Sequence, residues 1–371
     1  MQKIISELGS LNRWLKQHKE FLGSKIFVVC GKKSFEMSGA KQVIEETFDS
    51  NATVLFSDFR ENPKIEDAIR GADIAKKFAP DSIIAIGGGS VLDMAKLIKA
   101  FYVNSGSELA IATGVQKDFV IQNIPILAVP TTAGSGSEST HFAVVYVSGE
   151  KYSLASKLIL PDLVLLDGNL IKSASHYQKA CSSLDALAQA IEGAWAKGSN
   201  EETRKKSFLA IRKLVQNIPA YVKGEADPRI FQDMIVASNL AGQVIDVTKT
   251  TAAHAWSYGI TTKFNIPHGH AVWITLPTIF RLHDLKSNNF ADKGLIDIIA
   301  KIKCAMRFRE SERADVALDN FCRKLGIELD FEKLGIGFEE RQKLSKSVNQ
   351  ERLKNNPIEF APEDVKAIFN I

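Results

Sequence analysis

The sequence predicts an α/β nucleotide-binding unit over residues 1–168 followed by an all-helical unit over residues 169–371. Three observations carry this. Short β-branched runs alternate with amphipathic segments up to about Asp167, the rhythm of a parallel sheet covered on both faces. Two of those runs end in turns rich in glycine and small hydroxyls. Beyond Asp167 the strand signals stop and long segments of helical period take over.

Taken in order, residues 1–23 are polar at apolar intervals and read as an amphipathic helix. Ile26–Cys30 is a buried strand, followed by a turn at Gly31 and a helix to about Thr47. Thr53–Phe56 repeats the strand signal, and Ile65–Phe78 has helical spacing. Ser82–Ile86 leads into Gly87-Gly88-Gly89-Ser90 and a helix to about Tyr102. Ile126–Val129 ends at Pro130-Thr131-Thr132, and Phe142–Val147 and Leu163–Leu166 read as further strands. The later helices are expected over Lys179–Ala196, Glu202–Val215, Ile230–Val244 and Leu295–Met306.

Composition narrows the partners. A chain of 371 residues with 45% hydrophobic content can bury two ordinary cores. The net charge of +4 comes with no basic run or aromatic-interleaved stripe, so nucleic acid is not expected as a partner. Cys30, Cys181, Cys304 and Cys322 lack CxxC spacing, which fits reduced thiols. No signal-peptide pattern and no run of 18 apolar residues is present, so a cytoplasmic protein away from membranes is expected.

Two turns point to a dinucleotide. Gly87–Ser90 closes a buried strand and opens a helix, where bare backbone N–H groups and the helix N-terminus favour a pyrophosphate. It matches neither GxGxxG nor the Gly-Lys-Ser/Thr loop, and alone it also reads as a tight turn. The second turn, Thr131–Glu138, places Thr131, Thr132 and Ser135 at the same carboxyl edge, where open α/β sheets bind ligands.

The helical half carries metal chemistry. Of seven histidines, His254, His268 and His270 fall between Thr250 and Pro277, together with Tyr258. Upstream, Asp185 and Gln189 stand four apart on one predicted helix face. Asp185, His254 and His268 would make a carboxylate-plus-two-imidazole set with a position left for water or substrate, and Gln189 can add an amide oxygen. Ordinary core or cap roles for these histidines are the plain alternative.

Gly87–Ser90 with Asp93 and Lys96, Pro130–Glu138, Asp185-Ala-Leu, and His254 followed by Pro267-His268-Gly269 resemble, in order and separation, the iron-containing alcohol dehydrogenase family. The resemblance runs from Ile26 to the late helices. It implies a dinucleotide-binding domain, a helical domain, and a divalent metal, Fe2+ or Zn2+, in the cleft between them, ligated by Asp185, position 189, His254 and His268. Most members carry histidine where this chain has Gln189, a harder and weaker donor. The site then works with three protein ligands, keeps Gln189 as a fourth, or stays empty.

The resemblance also implies NAD(P)H-dependent interconversion of an aldehyde and a primary alcohol. The acid that contacts the ribose of NAD would stand where this chain has Gly31, followed by Lys32 and Lys33, which favours NADPH over NADH. Lys151 stands at a cofactor-facing lysine, and Tyr258 where a proton-relay histidine is common, with His270 as a second relay candidate. Within the family, Gln189, the run from Gly136 through Val147 and Lys249–Ala255 resemble the phosphonoacetaldehyde reductases. Lys249 is then the candidate cation for a phosphonate, with Asn239 and Gln243 as polar contacts. Another alcohol dehydrogenase of the family, a dehydroquinate synthase-type lyase and a non-catalytic nucleotide-binding protein are the alternatives. A homodimer is the default expectation for such an enzyme.

Overall fold

The computed structural model describes residues 2–225, 227–289, 291–309, 312–348 and 350–371. The chain divides into two compact units: Met1–Ala174 with Ala226–Asn239, and Ser175–Glu225 with Leu240–Ile371.

The first unit runs β1 (Lys3–Ser6), α1 (Ser10–His18), β2 (Ile26–Cys30), α2 (Lys32–Met37), α3 (Ala40–Thr47), β3 (Thr53–Phe56), α4 (Ile65–Phe78), β4 (Ser82–Gly87), α5 (Gly89–Phe101), α6 (Glu108–Ala112), β5 (Ile126–Pro130), β6 (Phe142–Val147), β7 (Glu150–Ala155) and β8 (Leu163–Leu166). Six strands form one parallel sheet in the order β1-β8-β5-β4-β2-β3. β2, β4 and β5 are buried at every residue, which is why they read as continuous apolar runs rather than alternating ones. Ile26, Val28, Cys30, Ile84, Ile86, Leu127, Val129 and Leu165 share one face with Leu11, Leu15, Phe35 and Ile44. Residues such as Phe27, Val29, Ile83 and Ala85, at the intervening positions of these strands, face the other way and are equally buried.

Three expectations are corrected here. Residues 1–23 are not one helix: Lys3–Ser6 is the edge strand, paired with Leu163–Leu166, and the helix starts only at Ser10. Four residues of strand are too short to override a helical pattern in sequence; the partner strand decides. Phe142–Val147 is a strand, but it pairs antiparallel with Glu150–Ala155 in a separate hairpin. The helix expected from Gly31 to Thr47 is two, broken at Gly39, whose φ of 80° a side chain would disfavour.

The second unit contains α7 (His176–Trp195), α8 (Glu201–Lys223), the later part of α9 (Pro228–Thr248), α10 (Ala252–Phe264), α11 (His268–Asn289), α12 (Lys293–Ala305), α13 (Ala314–Lys324), α14 (Phe338–Lys346), α15 (Gln350–Lys354) and α16 (Pro362–Phe369). A division at 168/169 leaves out the return of residues 226–239 to the first unit. Polar bonds invisible in helical periodicity make that return. Gln232 accepts from the Gly168 N–H (2.9 Å) and donates to the Leu166 carbonyl (2.9 Å) and Ser6 Oγ (3.0 Å). Asn239 donates to Glu138 (3.0 Å) and Ser139 Oγ (2.6 Å). No helix of the described residues is long and apolar enough to cross a membrane.

Candidate metal centre and nucleotide loops

In the first unit, chain connections place the crevice. From β2 the chain steps outward to β3, whereas from β4 it steps the opposite way to β5 and β8, so the order reverses between β4 and β2. Ligands of open α/β sheets bind at the carboxyl edge of such a reversal. Gly87–Ser90 stands there, with Gly88 as the extended cap (φ −78°, ψ −174°) of α5. A Cβ on Gly88 would lie 3.3 Å from Thr132 Oγ1, and one on Gly89 2.7 Å from Ser135 Oγ. The two loops therefore touch, and only bare backbone leaves a cradle between them. The Thr131 N–H donates to the Gly87 carbonyl (3.0 Å), which fixes the second loop to the first. These features fit a pyrophosphate.

Asp93 and Lys96 have another task. Asp93 accepts from Ser137 Oγ (2.5 Å) and from the Val144 N–H (3.0 Å). Lys96, fully buried, donates to the Ser137 carbonyl (2.6 Å), Ser137 Oγ (2.9 Å), the Phe142 carbonyl (2.7 Å) and Thr140 Oγ1 (3.2 Å). Asp93 thereby braces the loop that follows Thr131. Lys96→Met is expected to weaken dinucleotide binding at least about tenfold and to destabilise the fold by about 3–5 kcal/mol, because Asp93 then loses its buried counter-charge. Fluorescence titration and thermal unfolding measure the two effects.

Other expected nucleotide residues are placed as follows. Gly31 caps β2, and a Cβ there would meet Ser34 Oγ at 2.4 Å. Lys32 is exposed but paired with Asp58 (2.9 Å), so it is not the open cation its sequence position implied. Ser90 Oγ accepts from the Asn62 N–H (3.2 Å), tying the segment after β3 to the glycine loop. Lys151 lies on β7, opposite Tyr146 in the hairpin.

In the second unit, α7 presents Asp185, Gln189 and Glu192 at i, i+4 and i+7, one face of the helix. α10 supplies His254, and it ends at Asn265 in the left-handed region (φ 53°). Pro267 then precedes α11, which begins with His268. That reversal brings the two imidazoles together with ring centroids 5.3 Å apart. One donor atom each from Asp185, His254 and His268 lies within 4.8 Å of the others. A carboxylate and two imidazoles at this separation fit one divalent ion. Gln189 is buried one turn along the same face as Asp185.

The ring orientations are set from behind. His254 Nδ1 donates to Glu192, a fully buried carboxylate that also accepts from Thr251 Oγ1 (2.8 Å) and the Ala253 N–H (2.8 Å). Nε2 of His254 therefore faces Asp185, at 3.3 Å. Burial works against the imidazolium form of His254, yet Glu192 and Asp185 outweigh it and raise its pKa. His268 Nδ1 meets Ser257 Oγ (3.4 Å), and the Tyr258 ring stacks on His268 at 5.7 Å and 12°. Glu192 and Ser257 were missed in sequence, although the i+7 spacing from Asp185 was there to be read. Glu192→Gln is expected to lower metal affinity about 10- to 100-fold, the usual cost of losing a carboxylate behind a ligating histidine. Chelator competition measures it.

Two residues expected at the catalytic centre have partners of their own in the structure. His270 accepts from Tyr177 Oη at Nδ1 (2.8 Å) and donates from Nε2 to the Glu328 carbonyl (2.6 Å). Burial lowers its pKa, so it is a neutral imidazole with both nitrogens engaged. Lys249 follows α9 with φ 58°, and its ammonium pairs with Glu351 at the surface.

The family profile described as iron-containing alcohol dehydrogenase matches residues 2–168, and its C-terminal companion matches residues 179–371. The chain belongs to the iron-containing alcohol dehydrogenase family. Members of the family and related enzymes bracket it. Aldehyde-alcohol dehydrogenase 2 of Entamoeba histolytica is 27% identical over 78% of this chain and 34% of its own length. The probable alcohol dehydrogenase EutG of Escherichia coli is 30% identical over 71% of this chain and 66% of its own. The chain thus spans from about a third to about two thirds of these two curated relatives. Among solved structures, sulfoacetaldehyde reductase from Bifidobacterium kashiwanohense, in complex with NAD+, superposes with a TM-score of 0.88 at 25% identity, over 100% of this chain and 96% of that one.

Proposed function

We propose that the chain reduces a short aldehyde to its primary alcohol, using NADH or NADPH bound at Gly87–Ser90 and Thr131–Ser135. The observation that carries this reading is the convergence of Asp185, His254 and His268 within 4.8 Å, with the His254 tautomer fixed by Glu192. A divalent ion held by these residues, Fe2+ or Zn2+, supplies Lewis acidity toward a carbonyl oxygen. Asp185 brings the negative charge that offsets the ion, and Gln189 is assigned as a further neutral donor. Glu192 and Ser257 hold the imidazoles so that little reorganisation is needed when a ligand arrives. Tyr258, stacked on His268, serves as a hydrogen-bond donor; the alcohol proton comes from solvent. Family membership and relatives named as alcohol dehydrogenases support the reaction class.

The finer reading is phosphonoacetaldehyde reduction to 2-hydroxyethylphosphonate. Its support is the run from Gly136 through Val147 and Lys249–Ala255, together with a structural neighbour named for sulfoacetaldehyde, another two-carbon aldehyde bearing an oxyanion. The test follows NADH and NADPH absorbance with phosphonoacetaldehyde, sulfoacetaldehyde and butyraldehyde at equal concentrations. A kcat/KM highest for the phosphonate is expected. Equal or faster butyraldehyde turnover removes the phosphonate reading and keeps the dehydrogenase; no turnover of any aldehyde with metal-loaded protein removes both.

A further inference from the structure

A dinucleotide site that selects NAD ordinarily has an acid just after its second strand, and here β2 ends at Cys30 and is followed by Gly31 and Lys32. The neighbouring strand supplies a carboxylate instead. Asp58, two residues beyond β3, accepts a 2.9 Å hydrogen bond from Lys32 Nζ. Arg70 of α4 holds it from the other side: its guanidinium lies 3.7 Å from the Asp58 carboxylate and donates to the Asp58 carbonyl. Arg70 is itself fixed, 2.8 Å from Asp67 and over the Phe56 ring. The segment is not a loose surface loop, since the Asn62 N–H is bonded to Ser90 at the mouth of the glycine loop. Lys32 hydrogen-bonding holds the Asp58 carboxyl below the usual range, with Arg70 adding to the effect.

A ribose 2′-phosphate needs a cation, and a ribose 2′-hydroxyl needs an acceptor. Lys32 is the first cation after β2, and its charge is already answered. Resting on the dinucleotide reading above, we propose that Asp58 sets the choice between NADH and NADPH by sequestering Lys32, the cation that would otherwise take the 2′-phosphate. Asp58 also offers an acceptor to an unphosphorylated ribose. The specificity element of this chain thus sits after β3 and acts on β2 through an ion pair, so a reading of residue 31 alone misses it.

The experiment is a titration of the metal-loaded protein and two variants with NADH and with NADPH, read by nucleotide fluorescence. Asp58→Asn is expected to shift the NADPH-to-NADH affinity ratio toward NADPH by about two- to fivefold, the scale of one exposed ion pair. Adding Lys32→Ala to Asp58→Asn is expected to cancel that gain. A ratio unchanged in Asp58→Asn, or a gain that survives Lys32→Ala, overturns the proposal while nucleotide binding itself stands. Failure of the unaltered protein to bind either nucleotide overturns the dinucleotide reading together with it. Both altered side chains are mostly exposed (64% for Lys32, 83% for Asp58), so the variants should fold and the ratio reports recognition.

Discussion

Asp185→Ala is expected to empty the metal centre and to lower aldehyde turnover by about a thousandfold or more. The size follows from what is lost: Lewis-acid stabilisation is worth several kcal/mol, and each ~1.4 kcal/mol is a factor of ten in rate. Asp185 is the only anion among the three converging donors, so its removal leaves two neutral imidazoles and an amide to hold a dication. Metal per chain, measured by elemental analysis, should fall to near zero along with kcat/KM. Thermal unfolding is measured alongside, because removing Asp185 also takes a buried partner from His254. Full metal content in the variant would remove Asp185 from the ligand set. Gln189→His provides the opposite arm: a softer imidazole in place of the amide oxygen should tighten Zn2+ or Fe2+ binding in the same assay.

Gly269→Ala is expected to cause a comparable loss without touching a donor atom. A Cβ at Gly269 would lie 2.0 Å from the Cys181 carbonyl and 2.9 Å from both the Asp185 backbone nitrogen and its Cβ. These neighbours are backbone in the middle of α7, so neither helix can yield locally. The start of α11 has to move away from α7, carrying His268 with it. Overpacking of this kind costs about 1–3 kcal/mol or more, and a ligand displaced by about an ångström loses much of its grip on an ion. The expected result is a lower unfolding midpoint together with reduced metal content. A variant with normal metal content and normal stability would show that α11 reaches Asp185 with room to spare.

Much of the first unit was legible in its residues. Ile26–Cys30, Ser82–Ile86 and Ile126–Val129 are apolar at every position because both sheet faces are covered, and that signal is local. Asp185 and Gln189 share a face by helical spacing alone. The grouping of His254 with His268 was also anticipated, because Pro267 marks the turn that folds one imidazole back toward the other. Family resemblance added the reaction class and the iron or zinc expected at these donors.

The partners of charged and polar groups were not legible locally. Lys32, Asp93, Lys249 and His270 each looked open to a ligand when viewed alone. In the folded protein Lys32 meets Asp58, Asp93 meets Ser137 and Val144, Lys249 meets Glu351, and His270 meets Tyr177 and Glu328. Their partners lie from 26 to 102 residues away, and no periodicity connects them. Glu192 is the same lesson reversed, an acid that seemed ordinary until His254 arrived from 62 residues downstream.

The sequence by itself determined the two classes of unit, the glycine loops, and Asp185, His254 and His268 as candidate donors, which the fold brings together. Those properties depend on hydrophobic period, bare backbone and ligand chemistry, which are carried by neighbouring residues. The tertiary structure alone decided which charges remain available. It also decided which strand forms the sheet edge and that residues 226–239 join the first unit. Each of those outcomes is a pairing between distant groups, and a buried or bridged polar group is defined by its partner.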